Sequence, residues 1–336
     1  MVDGLNFILK EMTALRYFMP LVEEGSRRGV QSRFFVGHVP GKYNCPGRNQ
    51  DTLDELVKKY NIECHDISRV DDFPGLTFVI ECVGLESIEA GKGHKIFSIP
   101  YMTDFNILHD RYVDKVDGII FPSESIAQHY NKDGPKNLYL GSPKYDAELD
   151  LEEILEKYGI PDLNNILVVS PRHRDAPRVD LSKIIKTISG MKYRVLVKSR
   201  GKEPSPPSVR GDLYFEDFSW YPHTSMELIK ASKLVINFSS TTIKECALLG
   251  TPVVNLDIKP AVRHGRNFGK HRLGLSFLYE QDFCRQLKPD ISAEELTAVI
   301  EEMISTDWTA SFSETRKKYL FEGNSSKRIL DHLGVK

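Results

Sequence analysis

Cysteine is scarce and poorly spaced for any structural use. The five cysteines (Cys45, Cys64, Cys82, Cys246, Cys284) are odd in number, scattered and never in CxxC spacing. That excludes a disulfide framework and a zinc ligand set, and implies reduced thiols. No apolar run approaches the roughly 18 residues that a membrane span needs. Asp3, Lys10 and Glu11 interrupt any apolar core near the N-terminus, so no signal peptide is expected. Charge of one sign is missing too: 45 Lys and Arg against 47 Asp and Glu leave a net charge of −2. No bulk field therefore recruits nucleic acid or an anionic membrane. Repeats of fixed period and low-complexity tracts are also absent. These absences leave a globular protein expected in the cytoplasm, with peripheral membrane contact the one membrane role still open.

What is present is a regular alternation of short apolar runs and helical periods. The chain has 336 residues, enough for two domains of about 150 residues each. In the first half, Leu5–Leu9, Val30–Val36, Ile62–Ile67, Thr77–Cys82, Lys95–Ile99, Val116–Phe121 and Leu138–Leu140 read as strands. Thr13–Arg28 reads as a helix that Pro20 should kink or restart. Asp51–Tyr60 reads as a helix capped by Asp51. The acidic stretch Asp146–Lys157 looks like a helical connection. A second series follows, with strands at Asn165–Ser170, Tyr193–Lys198, Leu213–Phe215, Leu234–Phe238 and Val253–Leu256. Helices are expected at Leu181–Ser189, Ser225–Ala231, Glu294–Ile304 and Ser313–Leu333. The expected fold class is α/β: two doubly wound, Rossmann-like domains, residues 1–148 and 149–336, meeting at a cleft. The last helix is free to pack back on the first domain.

The most informative stretch is Leu234 to Asp257, LVINFSSTTIKECALLGTPVVNLD. It reads as a buried strand, a turn of four hydroxyl residues (Ser239, Ser240, Thr241, Thr242), a helix ended by Gly250 and Pro252, and a second buried strand. In open α/β sheets ligands bind outside the carboxyl ends of the strands. A helix start there offers N–H groups and the positive end of its dipole to phosphate. Glu245, one turn in, would reach a ribose diol beside that phosphate. The competing reading is a capping box, Thr242-x-x-Glu245, in which both side chains merely satisfy backbone donors.

Two further strand ends carry cations. Pro171-Arg172-His173-Arg174 follows one strand; the other runs into Lys198-Ser199-Arg200. Together with the hydroxyl turn they give three anion-suited loops at one sheet edge, which favours a phosphate-bearing ligand over scattered surface charge. A third basic run, Arg263 to Arg272, suits a diphosphate or a charged acceptor, or is a loop with no ligand. Trp220 and Tyr221 follow the Leu213–Phe215 strand and are suited to stacking on a nucleotide base or to core packing.

The unit from Val235 to Asp257 resembles the C-terminal donor-site motif of GT-B glycosyltransferases and of the UDP-N-acetylglucosamine 2-epimerases that share their fold. The resemblance implies that Ser239, Ser240 and Thr241 fall on the epimerases' Ser-Gly-Gly turn and Glu245 on their ribose-binding glutamate. Gly141-Ser142-Pro143-Lys144-Tyr145-Asp146 is similar to the G-x-P-x-x-D segment of the glycerophosphate polymerases of teichoic-acid synthesis, and Arg174 matches the last residue of their P-T-x-R turn. Departures stand beside these matches. Hydroxyl residues replace the epimerases' glycines. Ser98-Ile99-Pro100-Tyr101 stands where the polymerases have tryptophan–histidine–glycine. Asn237 occupies the place of the glutamate of retaining GT-B enzymes, which weakens the retaining reading and leaves donor and stereochemistry open.

The implied activity is transfer of a sugar or polyol phosphate from a nucleotide-activated donor to a glycan or lipid-linked acceptor, as in polysaccharide biosynthesis. The donor site would comprise Ser239, Ser240, Thr241, Thr242, Glu245, Arg172, Arg174, Lys198, Arg200 and Tyr221. No cofactor beyond the nucleotide-sugar co-substrate is implied, and no metal, since no Asp-x-Asp pair is placed to hold one. The base that deprotonates the acceptor hydroxyl is expected at Asp104, with His109 second; for Asp104 a helix N-cap is the alternative. A UDP-sugar 2-epimerase is the second reading, with His38, His94 and His109 available for acid–base work. A non-catalytic relative that binds a nucleotide sugar or a partner protein is the third.

Overall fold

The computed structural model describes residues 4–37, 46–81, 83–100, 114–130, 134, 136–172, 175–199, 204–216, 220–258, 276–320 and 323–336. The chain divides into two compact units, residues 1–147 with 318–336, and residues 148–317.

The first unit is built on strands β1 (Leu5–Leu9), β2 (Ser32–Val36), β3 (Glu63–Asp66), β4 (Leu76–Ile80), β5 (Lys95–Ile99), β6 (Gly118–Phe121) and β7 (Asn137–Tyr139). They form one parallel sheet in the order β3-β2-β1-β4-β5-β6-β7. The winding direction reverses between β1 and β4. Both strands are buried along their whole length, as a sheet covered on both faces requires. The Phe7 ring is the hub of the core, with centroids 5.1 Å from Phe18, 5.7 Å from Phe34 and 5.3 Å from Phe78.

Helices α1 (Leu15–Arg27), α2 (Pro46–Tyr60) and α3 (Glu124–Tyr130) belong to this unit. A restart at Pro20 and a cap at Asp51 are both corrected here. Helix α1 runs through Pro20 without a restart. A proline in a helix interior costs about 3 kcal/mol, but Leu15, Phe18, Met19, Leu21 and Val22 of the same helix are all buried and each returns roughly 1.5–3 kcal/mol. Helix α2 begins at Pro46, so Asp51 lies inside it and is no cap. Proline suits the first helical position, where its missing N–H has no intrahelical partner anyway.

The second unit holds β8 (Asn165–Val169), β9 (Arg194–Lys198), β10 (Leu213–Phe215), β11 (Leu234–Asn237), β12 (Val253–Leu256) and β13 (Cys284–Leu287). Their order is β10-β9-β8-β11-β12-β13, again parallel throughout. The winding reverses between β8 and β11. Strand β13 was not expected, because Cys284-Arg285-Gln286-Leu287 has neither an apolar run nor a clean alternation; it is an edge strand registered by β12. Helices α4 (Leu151–Tyr158), α5 (Leu181–Ser189), α6 (Thr224–Lys230), α7 (Ile243–Leu249), α8 (Ser276–Tyr279), α9 (Ala293–Ser305) and α10 (Thr309–Thr315) accompany the sheet. Ile184 and Ile188 of α5 and Leu296, Ile300 and Met303 of α9 share one core with Ile166, Val195, Ile236 and Val254.

The expected terminal helix is not continuous. After α10 the chain passes through a π-helical turn, Arg316–Leu320, and then α11 (Ser325–His332). Gly323 and Asn324 both adopt left-handed backbone, at φ 45° and 54°, which no helix can propagate through.

Candidate functional site

Asn237, the last residue of β11, and Phe238 are both fully buried. The chain then turns sharply: Ser239 takes a φ of 49°, a left-handed conformation that costs a non-glycine residue about 1–2 kcal/mol. The turn is over-determined by its hydrogen bonds. The Ser239 amide donates to Asn255 Oδ1 at 2.8 Å, and the Ser239 hydroxyl reaches Asp257 Oδ1 at 3.4 Å. The Ser240 carbonyl accepts from the Tyr279 hydroxyl at 2.8 Å and from Asn237 Nδ2 at 3.3 Å.

The start of α7 departs from the capping-box alternative. Thr242 makes no side-chain cap bond. The Ser240 hydroxyl takes that place, accepting from the Thr242 amide at 3.4 Å and lying 3.1 Å from the Thr242 hydroxyl. Glu245 sits in the first turn of α7 and is buried, as is Lys244. Burial, joined by the negative charge of Glu245, pushes the Cys246 thiol well above its ordinary range; burial does the same to Cys284. Both are packing atoms, not nucleophiles. Gly250 closes α7 in the left-handed region at φ 75°.

The neighbouring strand ends lie at the same edge. Strand β8 pairs with β11 on one side and β9 on the other. Ser170, just past β8, is buried, and its amide donates to the Lys198 carbonyl at 2.9 Å. Lys198, the last residue of β9, is 1% exposed and donates from Nζ to the Ser199 carbonyl at 3.0 Å. Ser199 Oγ is buried with no hydrogen-bond partner among the described residues. Arg172 is exposed, and Tyr221 is half-buried beside a buried Trp220. The carboxyl edge of the second sheet therefore gathers Ser170, Lys198 and Ser199 with the Ser239–Thr242 turn and Glu245. Arg174 and Arg200 lie outside the described residues, as do the basic run Arg263 to Arg272 and the base candidates Asp104 and His109.

The first sheet offers a residue that the sequence reading missed. Glu81 follows β4 at the reversal point of the sheet and is 4% exposed with a φ of 54°. Its amide donates to the Ile99 carbonyl at 3.0 Å and its carbonyl accepts from Ser98 Oγ at 2.5 Å. An acid closing the apolar run Leu76–Ile80 was the available signal. His94, by contrast, immediately precedes β5 and so stands at the amino edge, away from where a ligand would bind. Among the described residues no three His, Cys, Asp or Glu side chains gather as a metal site, and no helix is long and apolar enough to cross a membrane.

No family model matches the sequence, and no curated protein does. Solved structures do. A Listeria monocytogenes protein assigned as a UDP-N-acetylglucosamine 2-epimerase is similar over 99% of this chain and 96% of its own, at 12% identity and a TM-score of 0.63. A variant of the wall teichoic acid polymerase TagF covers 99% of this chain with 89% of its own, at 13% identity and 0.63. The Methanocaldococcus jannaschii UDP-GlcNAc 2-epimerase, solved with UDP-GlcNAc and UDP, matches over 99% and 100% at 12% identity and 0.60. The fold is thus α/β with two Rossmann-like domains, the GT-B architecture that glycosyltransferases and UDP-GlcNAc 2-epimerases have in common.

Proposed function

We propose that this chain is a glycosyltransferase that moves a sugar or a polyol phosphate from a nucleotide-activated donor to a glycan or lipid-linked acceptor. One observation carries the reading. At the reversal point of the second sheet, a strained turn of four hydroxyl residues leads into a helix whose first turn buries a carboxylate, Glu245. Hydroxyls and backbone N–H groups at such a place suit a diphosphate, and the carboxylate suits a ribose diol. Lys198, Arg172, Arg174 and Arg200 would neutralise the phosphates. Charge supplied in this way would make a divalent metal dispensable. Asp104 and His109 are the proposed acceptor bases. A lipid-linked acceptor would bring an otherwise cytoplasmic enzyme to a membrane surface.

The test is a thermal-shift series with UDP, CDP, GDP, CMP and their sugar or polyol conjugates. A ligand at about 100 times its Kd adds about 2.7 kcal/mol to the folded state. A shift with one nucleotide, lost in Glu245→Ala, is expected; no shift with any of them would sink the donor-site reading. The epimerase alternative rests on the similarity to the two epimerase structures. It predicts turnover of UDP-GlcNAc with no acceptor present.

A further inference from the structure

Three side-chain amides and a tyrosine form a closed circuit behind the hydroxyl turn. Asn255, in β12, accepts at Oδ1 from the Ser239 amide at 2.8 Å and from Asn237 Nδ2 at 2.9 Å. Its Nδ2 donates to Gln286 Oε1 in β13 at 2.8 Å. Gln286 Nε2 donates to the Tyr279 carbonyl at 3.0 Å, and the Tyr279 hydroxyl returns to the Ser240 carbonyl at 2.8 Å. The two ends of the circuit are backbone groups of adjacent turn residues, one a donor and one an acceptor.

The polarity of this circuit is fixed. A backbone N–H can only donate, so Asn255 must present its oxygen to Ser239 and its NH₂ to Gln286. Gln286 must then present its oxygen to Asn255 and its NH₂ to Tyr279, whose carbonyl can only accept. No amide can rotate without setting two acceptors or two donors against each other. Asn255 is 1% exposed and Asn237 fully buried, so the bonds at the turn lie where water does not compete and an unpaired group costs most, while those of Gln286 are part-buried. The circuit also explains how Ser239 is kept in left-handed backbone without a glycine.

We propose that Asn255 is the positioning residue of this turn, holding Ser239 and Ser240 in the geometry that receives the donor's diphosphate; this rests on the donor-site reading above. Asn255 does not touch the ligand. It acts through the Ser239 amide, and Gln286 and Tyr279 act through Asn255 and Ser240.

The experiment uses the full chain with UDP and CDP as probes. Amide hydrogen exchange at Ser239 and calorimetric affinity are measured for wild type, Asn255→Ala and Gln286→Met. Gln286 is half-buried and its replacement removes only the far anchor, so it serves should Asn255→Ala fail to fold. Met303→Ala, in the core cluster of the same unit, controls for general destabilisation. Asn255→Ala is expected to lose Ser239 protection and to weaken the bound nucleotide by about tenfold or more, the equivalent of about 1.4 kcal/mol. Gln286→Met should move both in the same direction and less far. Met303→Ala should leave both unchanged at matched temperature below its Tm. Unchanged Ser239 protection in a folded Asn255→Ala overturns the proposal, and so does lost protection with full affinity. If wild type binds neither nucleotide, the ligand role falls, and the donor reading falls with it only when the rest of the thermal-shift series is also blank; the exchange result still decides whether Asn255 holds the turn.

Discussion

Asp146 caps the last helix through Ser325. Its Oδ1 accepts from the Ser325 amide at 2.9 Å and its Oδ2 from the Ser326 amide at 2.5 Å. Asn324, which occupies the cap position of α11, makes no side-chain cap bond. Approach here is close: a Cβ on Gly141, at φ 95°, would lie 2.2 Å from the Ser325 hydroxyl. The Gly141–Asp146 segment, which resembles a motif of a polymerase family, therefore has a structural task within the first unit. Asp146→Ala should lower stability by about 1–2 kcal/mol, with Asp146→Asn milder. Gly141→Ala should be at least as damaging, since strain and overlap add. Denaturant unfolding of each variant checks this, and an unchanged midpoint would contradict it.

Stability should fall on acidification through His94. Its side chain is 2% exposed, with Nδ1 2.9 Å from the Thr77 hydroxyl and Nε2 3.3 Å from Asp71 Oδ1. Burial holds the imidazole below its ordinary range, against the pull of Asp71. A lowered value means that the unfolded chain binds the proton first. The contribution is complete above about pH 6.5, the unfolded value, and is lost as pH falls through the folded one. Melting temperatures from pH 8 down to 5 should decline less steeply in His94→Gln than in wild type.

Backbone strain at Glu81 can be separated from its carboxylate. Alanine removes the acid and keeps the left-handed penalty; glycine removes both. Glu81→Gly should be more stable than Glu81→Ala by about 1 kcal/mol or less, because glycine's extra unfolded-state entropy offsets part of the relief. Denaturant unfolding of the two variants checks this, and equal stability would contradict the strain.

Glu245→Gln keeps shape and removes charge. Nucleotide affinity should fall by about tenfold, the scale of one charge-assisted hydrogen bond to a hydroxyl. The ligand-free melting temperature is measured beside it. A fall in both together would indicate a role in the fold alone.

Much of this architecture was legible from pattern. Apolar runs as short as Leu5–Leu9 and Val253–Leu256 mark buried parallel strands, and Gly250 marks the end of α7. Strand β13 was not legible, because its register comes from β12 and not from its own residues. Helix α2 was misplaced at its start because aspartate signals a cap more loudly than Pro46 signals a first turn. At the candidate site the hydroxyl turn and Glu245 stood out by residue type. Their support did not: Asn255 lies 18 residues beyond Asn237 and Gln286 a further 31, both look like ordinary polar positions until the sheet aligns them, and Asn237 stood out only through the family resemblance. Ser240 rather than Thr242 serves the start of α7 because the left-handed Ser239 shifts the turn by a step that spacing cannot reveal.

The division of the chain bears on the order of synthesis. Residues 148–317 are contiguous and make up the whole second unit, whereas the first unit requires residues 318–336 as well as 1–147. A chain emerging from the ribosome can complete its middle before its beginning. Until residues 318–336 are made, the strands made first lack α11, and Asp146 has no helix to cap. Loss of residues 318–336 would therefore be felt in the unit built on residues 1–147, not in the unit that directly precedes them in the chain.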